Sequence, residues 1–202
     1  MRAPILCTAV ATLLAGACAS SPPVRYYVLT VVKPESRLAT SADLVAVRLD
    51  RLTVPTELDR AELLQRMDAT RIQLLEDDRW AAPLDDMIRR VLTADLAARL
   101  PADRVADPNE PAAGERRQSL AVDIQRFDGD SACVVTLRAA WVLKPPDGSS
   151  QRGSEETHVA SGNCAGAASL PVAMSQALAQ LSDHLAALIA GSAGGGSPGT
   201  PH

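Results

Sequence analysis

AVRLDRL at residues 46–52 recurs as AVDIQRF at residues 121–127, both with the pattern Ala-Val-x-aliphatic-x-Arg-apolar. Apolar residues alternating with polar ones over such a stretch mark a half-buried strand. A second pair lies further along: LTADLAARL from Leu92 resembles LSDHLAALI from Leu181, each near the end of a segment with helical spacing. The two matches keep the same order, strand before helix, and so imply a duplicated unit of three strands and a helix. The expected fold is α/β (α+β), one domain of two similar β-β-β-α units with mixed sheets and helices packed on sheet faces.

The helices read most clearly. In APLDDMIRRVLTADLAARL, from Ala82 to Leu100, the side chains of Leu84, Ile88, Val91, Leu92 and Leu96 share one stripe. Pro83 suits the first turn, Asp85 and Asp86 complement the positive end of the helix dipole, and Pro101 stops it. A second helix is expected from about Ala168 to Ala190, with Leu178, Leu181, Leu185, Leu188 and Ile189 on its apolar face.

Strands are expected over Val24 to Val32, in LVAVRLDRLTV ending at Pro55, and near 118–127, 132–143 and 153–161. Between Leu58 and Leu75, AELLQRM could form a short helix by propensity, but Asp68-Ala69-Thr70 and the following RIQLL favour a hairpin. Residues 102–116 form a polar linker containing proline, and the tail GSAGGGSPGTPH has nothing to bury.

The first residues carry an address. Arg2 gives a positive start, Ile5 to Leu14 an apolar run, and Ala15-Gly16-Ala17 small side chains directly before Cys18. This is the layout of a bacterial lipoprotein signal, with no bulk at the cleavage point. The run is too short to span a bilayer, which takes roughly 20 residues. An ordinary secretory cleavage or a short buried helix leaves the placement of Cys18 unexplained. Lipidation of Cys18 is therefore expected, and several acyl chains at about 0.8 kcal/mol per buried methylene would hold the protein in the membrane. Ala19, where an inner-membrane retention signal would place aspartate, directs the expectation to the periplasmic face of the outer membrane. The divisions are then a signal peptide 1–17, a lipidated tether 18–24, a folded domain 25–190 and a disordered tail 191–202.

Removing the signal takes away Arg2 and moves the formal net charge from -4 to -5. A mildly acidic chain whose only aromatics are Tyr26, Tyr27, Trp80, Phe127 and Trp141 lacks the basic patches and stacking platforms of nucleic-acid binders. Once Cys7 has left with the signal and Cys18 is acylated, Cys133 and Cys164 remain as a pair. They flank two strand-like runs joined by KPPDGSSQ, and opposed residues in an antiparallel hairpin keep a constant index sum. A facing Cys133–Cys164 pair would centre the turn between Gly148 and Ser149, inside that segment. A disulfide is expected, worth about 3 to 4 kcal/mol by loop entropy, against two buried free thiols.

No catalytic constellation assembles. Glu76-Asp77-Asp78 reads as a solvated carboxylate run ahead of a helix, and His158, His184 and His202 have no metal-ligand spacing. Neither a G-x-S-x-G elbow nor a phosphate-binding glycine loop occurs. No enzyme, no cofactor and no metal are expected.

Several stretches together identify a relationship. ASSPPVRYYVLT after Cys18, the block from Leu58-Asp59-Arg60 through DRWAAPLDDMIRRVLTADLAARL, and the final AMSQALAQLSDHLAALIA resemble the ABC-type transport auxiliary lipoproteins, the PqiC-like family. The resemblance covers most of residues 18–190. Its most specific pieces are Pro23-Val24-Arg25-Tyr26-Tyr27 and Arg79-Trp80-Ala81-Ala82-Pro83-Leu84; the linker at 102–116 and the glycine-rich tail depart from it. The resemblance implies a non-enzymatic adaptor in an MCE-type lipid transport system. It would be held on the outer membrane by Cys18 and dock a periplasmic MCE-domain protein, as a homo-oligomer by analogy. Tyr26, Tyr27 and Trp80 are the candidate contact residues, since aromatics are enriched at interface anchors; packing in the core is the alternative for all three. Two other readings stand beside the adaptor: a carrier that binds phospholipid itself, which needs an apolar cavity of a few hundred Å3, and an outer-membrane protein assembly factor.

Overall fold

A computed structural model describes residues 22–38, 44–101, 103–106, 116–162 and 167–192. Its elements run β1 (Arg25–Tyr27), β2 (Val47–Thr53), β3 (Glu62–Arg66), β4 (Ile72–Trp80), α1 (Leu84–Arg99), β5 (Gln118–Asp130), β6 (Val134–Lys144), β7 (Gln151–Ala160) and α2 (Ser169–Ser192). The strands make one mixed sheet, in the order β1-β4-β3-β5-β6-β7 with β2 also on β5.

β5 organises the sheet. One of its edges pairs antiparallel with β6, while the other takes β2 over Gln118 to Asp123 and then β3 at Gly129 and Asp130, both parallel. β2 and β3 thus lie end to end along one neighbour, separated by Pro55 and a 3-10 turn at Thr56–Leu58. The strands that carry the repeated heptapeptide are adjacent, with Leu49 opposite Leu120 and Leu52 opposite Val122. The second half forms the expected meander of three strands and a helix. The first half has four strands, because the 58–75 region forms the β3–β4 hairpin and β4 runs on to Trp80.

Both helices cover one face of the sheet. Leu120, Val122 and Ile124 of β5, and Leu137, Ala139, Trp141 and Leu143 of β6, are buried toward them, while Asp123, Gln125, Arg138, Val142 and Lys144 face solvent. Every member of the expected α1 stripe is buried, and four of the five α2 residues are, with Leu188 partly so. Each such aliphatic side chain contributes about 2 kcal/mol through the area it removes from water.

Three local expectations are corrected. The strand expected over Val24 to Val32 pairs only at Arg25–Tyr27, because the chain then leaves the sheet to cross the helices. Glu76-Asp77-Asp78 lies within β4, so alternation turns Asp78 inward instead of leaving the run solvated. The β6–β7 ladder pairs Val134 with Ala160 and Leu143 with Gln151, which centres the turn on Asp147 and sets Ser161 beside Cys133.

Candidate docking surface

The folded body begins at an edge strand. Arg25 of β1 donates two hydrogen bonds to the Asp78 carboxylate, at 2.7 and 2.8 Å, and the Tyr27 hydroxyl donates a third at 2.9 Å. Asp78 is only 5% exposed; the Arg25 hydrogen bonds outweigh its burial and hold its carboxyl below the usual carboxylate range. Burial together with the Asp78 carboxylate raises the Tyr27 hydroxyl. β1 has just three residues and pairs parallel with β4, so this cluster supplies much of what fixes it.

Beyond β1 the chain becomes a strap over the helices. The Thr30 amide donates to Ser175 Oγ on α2 at 3.1 Å, and the Val32 amide donates to Asp95 Oδ1 on α1 at 3.1 Å. Arg99 returns a hydrogen bond to the Val32 carbonyl at 3.3 Å and also reaches Asp183 on α2 at 2.6 Å. The Leu38 amide closes the strap on the Arg99 carbonyl. Asp95 is fully buried, and its Oδ2 has no hydrogen-bond partner. Desolvation pushes its carboxyl up to about 6, against the pull of Arg99 and the Val32 amide. Between strap and α2 lies a groove of about 500 Å3 lined by Val32, Glu35, Leu38, Gln176 and Asp183, among others.

The candidate contact residues separate by burial. Tyr26 is 65% exposed, Tyr27 is half-buried against the core, and Trp80 is 6% exposed within the core. Trp80 spends its ring on the interior, and Tyr26 has most of its surface free. Cys133 stands in the β5–β6 turn at φ 62° and is disulfide-bonded, while Cys18 and Cys164 lie outside the described residues. Among the described residues, no group of three or more His, Cys, Asp or Glu could hold a metal ion, and no helix is long and apolar enough to cross a membrane.

Two polar clusters escaped the sequence reading. Asp95 and Arg99 sit at i and i+4 within the apolar side of α1, beside Val91, Leu92 and Leu96; charged residues at stripe positions were the available signal. The pairing of Arg25 with Asp78 had none, because it depends on which strand lies beside β1.

A cavity bordered by Leu64, Trp80, Leu84, Phe127, Leu170 and Met174 holds only about 10 Å3, room for no more than a water molecule. A shallow groove of about 340 Å3 crosses the helix-free face of the sheet near Arg51, Asp123 and Val142.

Comparison with known proteins places this arrangement. A solved structure described only as an uncharacterized protein superposes with a TM-score of 0.68 at 23% identity, over 83% of this chain and 99% of that one. A protein from Xanthomonas campestris gives 0.63 at 20% identity, over 86% and 100%. These likenesses show the fold. In sequence, the chain is 28% identical over 138 residues to the intermembrane transport lipoprotein PqiC of Escherichia coli K12, covering 68% of this chain and 72% of that protein. The family model for the ABC-type transport auxiliary lipoprotein component matches residues 27–186, from the strand that begins the sheet to the last turns of α2. The chain belongs to the ABC-type transport auxiliary lipoprotein family.

Proposed function

We propose that this protein is an outer-membrane-anchored subunit of an MCE-type ABC lipid transport system. In this role it is a non-enzymatic adaptor that docks a periplasmic MCE-domain protein to the membrane. The observation that carries the reading is the short path from anchor to body: β1 starts seven residues after Cys18 and is clasped to β4 by Arg25 and Asp78. Acylation of Cys18 would hold the folded domain at the bilayer and raise its concentration near a partner spanning the periplasm. The name of the Escherichia coli relative, an intermembrane transport lipoprotein, supports the same setting.

For the carrier alternative, an acyl chain needs a cavity of hundreds of Å3; the one bordered by Leu64, Trp80 and Phe127 holds about 10 Å3 and is too small for it.

Mass spectrometry of the membrane-extracted protein should show acyl mass on Cys18, and Cys18→Ser should release the chain from the membrane fraction. The acylated protein should then retain a purified MCE-domain protein. A chain that binds no such protein but co-purifies with phospholipid in fixed ratio supports the carrier; cross-linking in cells to a β-barrel alone supports the assembly factor.

A further inference from the structure

Exposed apolar side chains gather along one edge of the sheet. Of the nine large hydrophobic residues exposed among those described, Val24 (42%), Tyr26 (65%), Val28 (49%) and Val31 (43%) fall within eight consecutive positions. Val24, Tyr26 and Val28 are two residues apart along an extended chain, so they project to the same side. Two more, Met67 and Ile72, flank the tight β3–β4 turn that Asp68 closes by accepting from Thr70 and Arg71.

Both groups lie on the edge of the sheet formed by β1, β4 and β3. β1 runs parallel to β4 with Arg25 opposite Asp78, so the chain going back toward Cys18 travels in the direction of Ile72 and the hairpin tip. The tether and the tip therefore leave the sheet at the same end. Six residue steps separate Val24 from Cys18, and a fully extended chain covers about 20 Å in that distance. A bilayer that holds an acylated Cys18 therefore lies within about 20 Å of Val24, on the side where Met67 and Ile72 project. Tyrosine is enriched at the headgroup level, where its ring meets hydrocarbon and its hydroxyl meets water.

We infer that the edge stripe Val24, Tyr26 and Val28, with Met67 and Ile72 of the β3–β4 tip, is a second membrane contact that rests on the phospholipid interface and sets the orientation of the domain. The inference depends on the reading of Cys18 as the acylated residue. By itself an acylated Cys18 sets a distance from the bilayer and not an orientation of the body. A shallow apolar contact supplies that orientation and presents the opposite end of the sheet to the periplasm.

The test uses the acylated full chain in phosphatidylethanolamine/phosphatidylglycerol vesicles that contain brominated phospholipid. The variants Tyr26→Trp and Met67→Trp each add one exposed indole, whereas Trp80 and Trp141 are buried. Val142→Trp, at the other end of the sheet and four strands from β1, is the control. Emission added at positions 26 and 67 should fall about twofold, with position 142 and the wild type unchanged. Three results overturn the inference while the anchor stands, with acyl mass confirmed on Cys18: no quenching at 26 and 67, equal quenching at 142, or cross-linking of position 26 to a second copy of the chain. Missing acyl mass overturns the anchor reading and this inference together.

Discussion

Arg25 and Asp78 meet through two parallel hydrogen bonds, with the arginine on the first strand and the carboxylate buried on its neighbour β4. Removing the arginine strands a buried carboxylate; removing the carboxylate frees an arginine that is already largely in water. The two losses are unequal in kind.

Asp78→Asn keeps the shape but weakens acceptance from both Arg25 and Tyr27. The expected cost is about 2 kcal/mol, which for a domain of this size lowers Tm by roughly 4 to 8 °C. Arg25→Ala should raise hydrogen exchange at Tyr26 and Tyr27 and leave α2 protected. Exchange mapped by mass spectrometry checks both, and unchanged protection in β1 contradicts the role given to the pair.

Asp95 predicts an unusual pH response. Its folded carboxyl keeps a proton up to about pH 6, whereas an unfolded aspartate releases it near 3.8. The folded state therefore holds more protons between these values, and stability falls as pH rises through that window until the loss is complete above about 6. The groups facing it are Arg99 on its own helix, the Val32 amide of the strap and, through Arg99, Asp183 of α2. Asp95→Asn should flatten this dependence by about 2 to 3 kcal/mol across the window, read from urea melts at pH 4 and pH 7.

Two glycines near the core should respond differently to alanine. A Cβ at Gly153 would sit 2.6 Å from Trp141 Cζ2, on a rigid indole, whereas one at Gly129 would meet the movable end of Leu170 at 2.3 Å. Gly153→Ala should cost about 1 to 3 kcal/mol by overpacking and Gly129→Ala clearly less, because Leu170 can change rotamer. Chemical denaturation of both variants decides the order.

We propose that the disulfide partner of Cys133 is Cys164, a bond joining the β5–β6 turn to the segment between β7 and α2. Closing a loop of about 30 residues, it should be worth about 3 to 4 kcal/mol by chain entropy. Peptide mapping without reductant should recover the two cysteines in one linked species, and Cys164→Ser should lower stability by a similar amount.

Much of the fold is legible in the chain because periodicity is local. The α1 stripe from Leu84 to Leu96 and the alternation in β5 and β6 declare which sides are buried before any partner is known. What stays hidden is non-local. Nothing near Val47 announces that β2 will share one edge of β5 with β3, and nothing near Arg25 names Asp78, 53 residues away. The β6–β7 register shows a finer limit: KPPDGSSQ places the turn, yet the centre at Asp147 was set by the ladder and not by the cysteines. Of the aromatic contact residues, composition alone could not tell the exposed Tyr26 from the buried Trp80, since that depends on which strand lies at the sheet margin.

The parallel alignment of β1 with β4 also governs how the molecule bears mechanical load. With the chain anchored through Cys18 as proposed, a membrane receding from the domain would direct tension along β1 and strain its bonds to β4 and both Arg25 contacts to Asp78 at the same moment, as shear instead of one rung after another. The strap bonds from Thr30 to Ser175 and from Val32 to Asp95 then carry the remainder into the helices. A pull through that proposed anchor would thus be resisted by the whole body and not by its first residues alone.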